Sequence, residues 1–303
     1  MGRSKIWFSG IILTLLIAVN MLTITALAHV PTFEAGGKSP DAAIPFEDPS
    51  ISRVLYGQLA EGDLTYYSFE IKRGERIVLG LTIPVEQGRQ GFTPDLILMG
   101  PGLTHEGKIP EKLEVPQGYG VKVFSGRLLK SPVYEAFAPS AFYSVANPDL
   151  IAPESGKYYA VVSSARRAGN YGVVLGYKEA FTLNEWISTP LSQIKIYLWE
   201  GQSPLLIFAP FLIILALGIL AIFLKKDIVS GFSPAQISGI FAGLFFLGTG
   251  FSLISQMMIS LSKTSFTSEI FITLFLILAS VGLGVIAFFL SLKGESSSET
   301  STR

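Results

Sequence analysis

Two residues supply the metal chemistry open to this chain: His29 and His105, the only histidines in its 303 residues. Cysteine is absent, which excludes thiolate metal sites, disulfides and cysteine nucleophiles together. His29 directly follows Ala26-Leu27-Ala28, a small-residue pattern of the kind signal peptidase cuts. Cleavage there would make His29 the first mature residue. It would then carry two nitrogen donors, an imidazole and an α-amine with a reference pKa of about 7.7–8.0. His105 would complete a three-nitrogen set, and such nitrogens in a roughly planar T suit copper, which tops the divalent affinity order. Glu34 and Glu106 are oxygen ligands within reach along the sequence. The competing reading is that both histidines are exposed loop residues that never meet.

The elements that must position these residues begin with the leader. Arg3 and Lys5 precede an apolar run from Ile6 to Ile24, so residues 1–28 read as a signal peptide, followed by an extended segment over 29–52. An uncleaved leader would instead be a further span and would leave no free amine. Hydrophobic residues make up 49% of the chain and mean hydropathy is +0.49, with the apolarity concentrated at the two ends. Segments 203–224, 232–259 and 270–292 are long enough to cross about 30 Å of hydrocarbon. Lys225 and Lys226 mark a cytoplasmic flank, which leaves the preceding domain outside and residues 293–303 as a cytoplasmic tail.

No charged residue or histidine interrupts those spans, which disfavours an ion or proton path. Gly239 and Gly243 permit close helix approach, either among the spans of one chain or as an oligomer contact. From 29 to 202 the chain holds 16 Lys/Arg against 19 Asp/Glu, a formal charge of −3. A nucleic-acid partner is therefore not expected.

Between Arg53 and Tyr177 short alternating or β-branched runs are divided by Gly and Pro, an all-β pattern. The expected fold is an extracytoplasmic β-sandwich over 53–178, with a long insertion at 100–140, followed by a three-helix transmembrane region. Residues 179–202 read as an amphipathic connector, with Trp186, Tyr197 and Trp199 near the headgroup layer. The aromatic residues Tyr66, Tyr67, Phe69, Tyr158, Tyr159 and Tyr171 are expected in the sandwich core.

The runs Gly57-Gln58-Leu59-Ala60-Glu61-Gly62-Asp63, Tyr66-Tyr67-Ser68-Phe69, Arg73-Gly74-Glu75-Arg76-Ile77, Asp95-Leu96-Ile97-Leu98 and Glu154-Ser155-Gly156-Lys157-Tyr158-Tyr159, with Gly169-Asn170-Tyr171, resemble the bacterial pre-peptidase C-terminal domain. That resemblance implies a small β-sandwich, a fold that serves recognition or stabilisation and does not fix an activity. The sequence departs from the pattern over 100–140, and His105 lies near the start of the departure. A mature N-terminal His29 plus one further histidine also resembles the histidine brace of lytic polysaccharide monooxygenases, of periplasmic copper carriers and of the copper subunit of particulate methane monooxygenase.

No catalytic motif emerges: there is no Gly-x-Ser-x-Gly elbow, His-Glu-x-x-His helix or Walker loop. The leading expectation is a multi-pass plasma-membrane protein whose sandwich recognises a protein or glycan partner. A copper protein using His29 and His105 is the alternative.

Overall fold

The computed structural model describes residues 30–34, 36–128, 131–178, 180, 192–225 and 231–293. The expected signal peptide, His29, connector residues 179 and 181–191, Lys226 and the tail from 294 lie outside the described residues.

Two sheets face each other. One is ordered β1 (Val30–Thr32), β3 (Arg53–Leu59), β12 (Gly169–Leu175), β5 (Arg76–Pro84), β9 (Ser140–Ala146) and β8 (Val133–Glu135), with β10 (Asp149–Ile151) also on β5. The other is ordered β2 (Ile44–Pro45), β4 (Leu64–Ile71), β11 (Gly156–Ser163), β6 (Asp95–Pro101) and β7 (Tyr119–Phe124).

The second sheet is apolar on both faces, which explains the near-continuous apolar runs of β4, β6 and β11. Alternate residues part into two cores. Tyr67, Phe69, Leu96, Leu98, Tyr158 and Ala160 enter the space between the sheets. Tyr66, Ile97, Met99, Tyr159 and Val161 point the other way, under Leu113. Leu113 belongs to the loop between β6 and β7, and the Tyr66 hydroxyl accepts a hydrogen bond from the Glu114 amide at 3.1 Å. The insertion expected over 100–140 is thus structural: it adds β7 and β8 and roofs the outer face. Between the sheets, the Tyr171 hydroxyl lies 2.7 Å from Thr65 Oγ1 and 2.8 Å from the Tyr67 hydroxyl, joining β12 to β4.

A short helix α1 (Val85–Arg89) follows β5, and α2 (192–199) precedes three long apolar helices, α3 (Pro204–Leu224), α4 (Pro234–Leu261) and α5 (Ile270–Lys293). Ser203 caps α3 by accepting from the Leu206 amide, and Ser233 with Gln236 forms a capping box on α4. The 21 residues of α3 span about 32 Å, enough to cross a bilayer. The three helices pack as a row with α4 in the middle. Gly218 makes room for Leu244, and Gly248 for the Phe211 ring. Gly239 lies against Ser291, and Gly243 against Phe288 and Gly284. Both glycines are therefore occupied by α5 of the same chain, the intrachain alternative to the oligomer contact, because antiparallel α4 and α5 meet along that small-residue face.

Uncovering the outer core should be costly. Leu113→Ala is expected to destabilise the sandwich by about 2–3 kcal/mol, seen as a lower thermal midpoint of the full chain in detergent, whereas Leu113→Met should stay close to wild type.

Candidate functional site

Strand register defines two poles. β5 starts at Arg76 and ends at Pro84, which pairs with Phe142 of β9. Its nine residues set the poles about 27 Å apart. At the Pro84 pole, the turn between β8 and β9 sits on α4 and α5: Tyr134 and Ala136 form one buried cluster with Met257, Ile270 and Ile277. Thr273 of α5 donates its hydroxyl proton to the Ala136 carbonyl at 2.7 Å. Thr273 Oγ1, having only one proton, must then accept from the Tyr134 hydroxyl, also at 2.7 Å.

Beside this seat is a buried carboxylate. The Glu200 side chain is 1% exposed, accepts from the Ala141 amide of β9 at 2.6 Å and from Gln202 Nε2 at 2.9 Å, and lies 3.8 Å from Lys263 of the α4–α5 loop. Gln202 Nε2 also donates to Gln256 Oε1 of α4 at 2.9 Å. Burial pushes the Glu200 carboxyl above its ordinary range, against the opposing pull of Lys263 and of its two hydrogen-bond donors. Neither residue stood out in the sequence. The available signal was a carboxylate and a lysine near the ends of apolar segments, 63 positions apart.

The connector differs from expectation here. Tyr197 and Trp199 are buried rather than immersed in headgroups. Trp199 Nε1 donates to the Tyr171 carbonyl at 3.0 Å, and its ring meets Tyr56 edge-on with centroids 4.9 Å apart. Asn170 Nδ2 donates to the Trp199 carbonyl at 2.7 Å.

The opposite pole carries an open cleft of about 820 Å³. Its lining includes Asp48, Glu70 and Glu75, the cations Lys72, Arg76 and Lys178, and Tyr177. Arg76 forms a two-pronged pair with Asp149, which holds the Asp149 carboxyl below its usual range. The Ser50 amide does the same for Asp48. The Arg76 guanidinium and Lys178 ammonium lie 5.3 and 5.6 Å from the Tyr177 ring centroid.

Of the two expected metal ligands, His105 lies among the described residues. His105 is exposed, on a segment that runs along the outer edge of β7 through the Glu106–Lys122 bridge. Glu106 is engaged by Lys122 and by Thr104 Oγ1, and the Lys122 ammonium holds its carboxyl below the usual range. Val30, the residue after His29, pairs with Arg53 at the β1 edge of the other sheet. The β1 and β7 edges lie on opposite flanks, on the order of 20 Å apart at about 4.8 Å per strand. Among the described residues no group of three or more His, Asp or Glu is placed to hold a metal.

No known protein family and no curated protein matches this sequence. Solved structures do show a likeness, confined to about half of the chain. The periplasmic inhibitor of g-type lysozyme from Aeromonas hydrophila is 15% identical over 49% of this chain and 99% of its own, with a TM-score of 0.28. The pre-peptidase C-terminal domain of the Bacillus anthracis collagenase is 18% identical over 43% and 90%, with a TM-score of 0.24. CorA, a surface-associated copper-binding protein of Methylomicrobium album BG8, is 13% identical over 48% and 100%, with a TM-score of 0.25.

Two outcomes are expected. Because Glu200 binds its proton more tightly in the folded state, its contribution is full below the ordinary carboxylate range, about pH 4, and is lost as pH rises through its raised folded value. Thermal midpoints of the full chain across pH 4–9 should show this loss in wild type, no such step in Glu200→Gln, and a step reaching higher pH in Lys263→Ala. Parallel wild-type and Glu200→Gln profiles would refute the assignment. In copper titrations, binding by His105→Ala within about twofold of wild type would set His105 outside any copper site. A tenfold loss in both His105→Ala and His29→Ala would instead establish a joint site.

Proposed function

We propose that this chain is a membrane-anchored, extracytoplasmic recognition module that holds its charged cleft away from the bilayer for a protein or glycan partner. One observation carries the reading: the cleft with Tyr177 lies at the pole opposite the seat on α4 and α5. Tyr177 is 39% exposed, with the Arg76 and Lys178 cations 5.3 and 5.6 Å from its ring centroid. An aromatic ring flanked by cations and carboxylates can stack on a sugar face or pair with a charged peptide. The charged and aromatic lining of the cleft suits it to binding.

The orientation expected from Lys225 and Lys226 supports this role, since it turns the cleft toward the extracytoplasmic space. The bilayer is the second partner, through the three apolar helices.

Site-specific photo-crosslinking in cells tests the proposal. A photoreactive residue at Tyr177 or Ser155 should give a discrete adduct, while one at Glu111, away from the cleft, should not. The Tyr177 adduct should disappear in Lys178→Glu. Equal labelling from all three positions, or none from the cleft, would refute the reading.

A further inference from the structure

The Pro84 pole carries a second, smaller cleft of about 330 Å³, lined by Arg166 and Arg167, Gln87 and Gln90, Phe92 and Glu61. Arg166 and Arg167 are exposed in the loop that carries the chain from β11 of one sheet to β12 of the other, and neither has a carboxylate partner among the described residues. That loop is tied to the turn after β3, where the Gly62 amide donates to the Ser164 carbonyl at 2.7 Å. Two more cations reach that turn: Lys38 pairs with Asp63, and Lys112 donates to the Gly62 carbonyl. The cleft itself thus sets two guanidinium groups against one carboxylate, Glu61, although the domain as a whole carries a formal charge of −3.

The cleft is also at the pole beside the three apolar helices. Gln87 Oε1 accepts from the Asn170 amide at 2.6 Å, and Asn170 Nδ2 donates to the carbonyl of Trp199, four residues before the Ser203 cap of α3. The wall of the cleft is thus two hydrogen bonds from the chain that feeds a membrane helix. With Oε1 engaged, Gln87 Nε2 remains as a donor, and Phe92 forms an apolar floor.

We propose that this cleft binds the headgroup of an anionic phospholipid in the leaflet on the sandwich side, with Arg166 and Arg167 on the phosphate oxygens. Guanidinium groups match phosphate geometry in a two-pronged manner, and an anionic surface within a Debye length reinforces each cation. Glu61 opposes the bound charge and sets the affinity low enough for exchange. The inference needs only that α3 crosses a bilayer; it is independent of what the distal cleft binds.

Native mass spectrometry of the detergent-purified full chain, titrated with short-chain phosphatidylglycerol, phosphatidylcholine or inorganic phosphate, tests it. Wild type should bind phosphatidylglycerol at least about fivefold more tightly than Arg166→Gln/Arg167→Gln. Glu61→Gln should bind more tightly than wild type, and phosphatidylcholine should not distinguish the variants. In wild type, phosphatidylglycerol should slow amide exchange over 163–170, and 0.5 M NaCl should abolish the effect. Equal phosphatidylglycerol binding by wild type and the double variant would overturn the proposal. So would unchanged exchange over 163–170, or equally effective competition by inorganic phosphate.

Discussion

A carboxylate taken out of water must find its partners in protein, and Glu200 finds them in three separate segments. β9 gives an amide, the stretch before α3 gives Gln202, and the α4–α5 loop gives Lys263. Displacing any one of the three strands a buried charge, so sandwich, connector and helices hold a single arrangement. The apolar seat around Tyr134 and Met257 supplies burial energy, whereas the Glu200 cluster supplies direction. Gln202 Oε1, Gln256 Nε2 and Ser260 Oγ have no partner among the described residues, which makes this the least fully satisfied part of the junction.

The second sheet answers a different constraint. Two apolar faces need two covers; the first sheet covers one and the loop bearing Leu113 the other. This is why the departure from the pre-peptidase-like pattern is built into the domain rather than looped out of it. Its first half roofs the sheet, and its second half, through β8 and the turn after it, seats the domain on α4 and α5.

Much of this was legible in the residues. Short alternating or near-continuous apolar runs between Gly-bearing turns mark β3, β4, β5, β11 and β12, and uninterrupted hydropathy marks the three helices. The buried aromatics followed from their place in the strands. What escaped reading depends on tertiary meetings with no local pattern. β8 is three residues long, too short to show a period, yet it carries Tyr134. Tyr197 and Trp199 fit a headgroup reading by type, but the Trp199 indole found a carbonyl on β12 instead. Glu200 and Lys263 meet only because α4 returns to the sandwich. The pairing of His29 with His105 depends on a residue outside those described.

The row arrangement of the helices has a mechanical consequence. α4 and α5 hold the seat directly, while α3 packs chiefly against α4 and is joined to the sandwich through its own leading chain. A load applied at the far cleft acts through a lever arm as long as β5. The junction resists it in shear, across Thr273, Glu200 and the Tyr134 cluster, so the torque arrives in the bilayer as a tilt of α4 and α5 together.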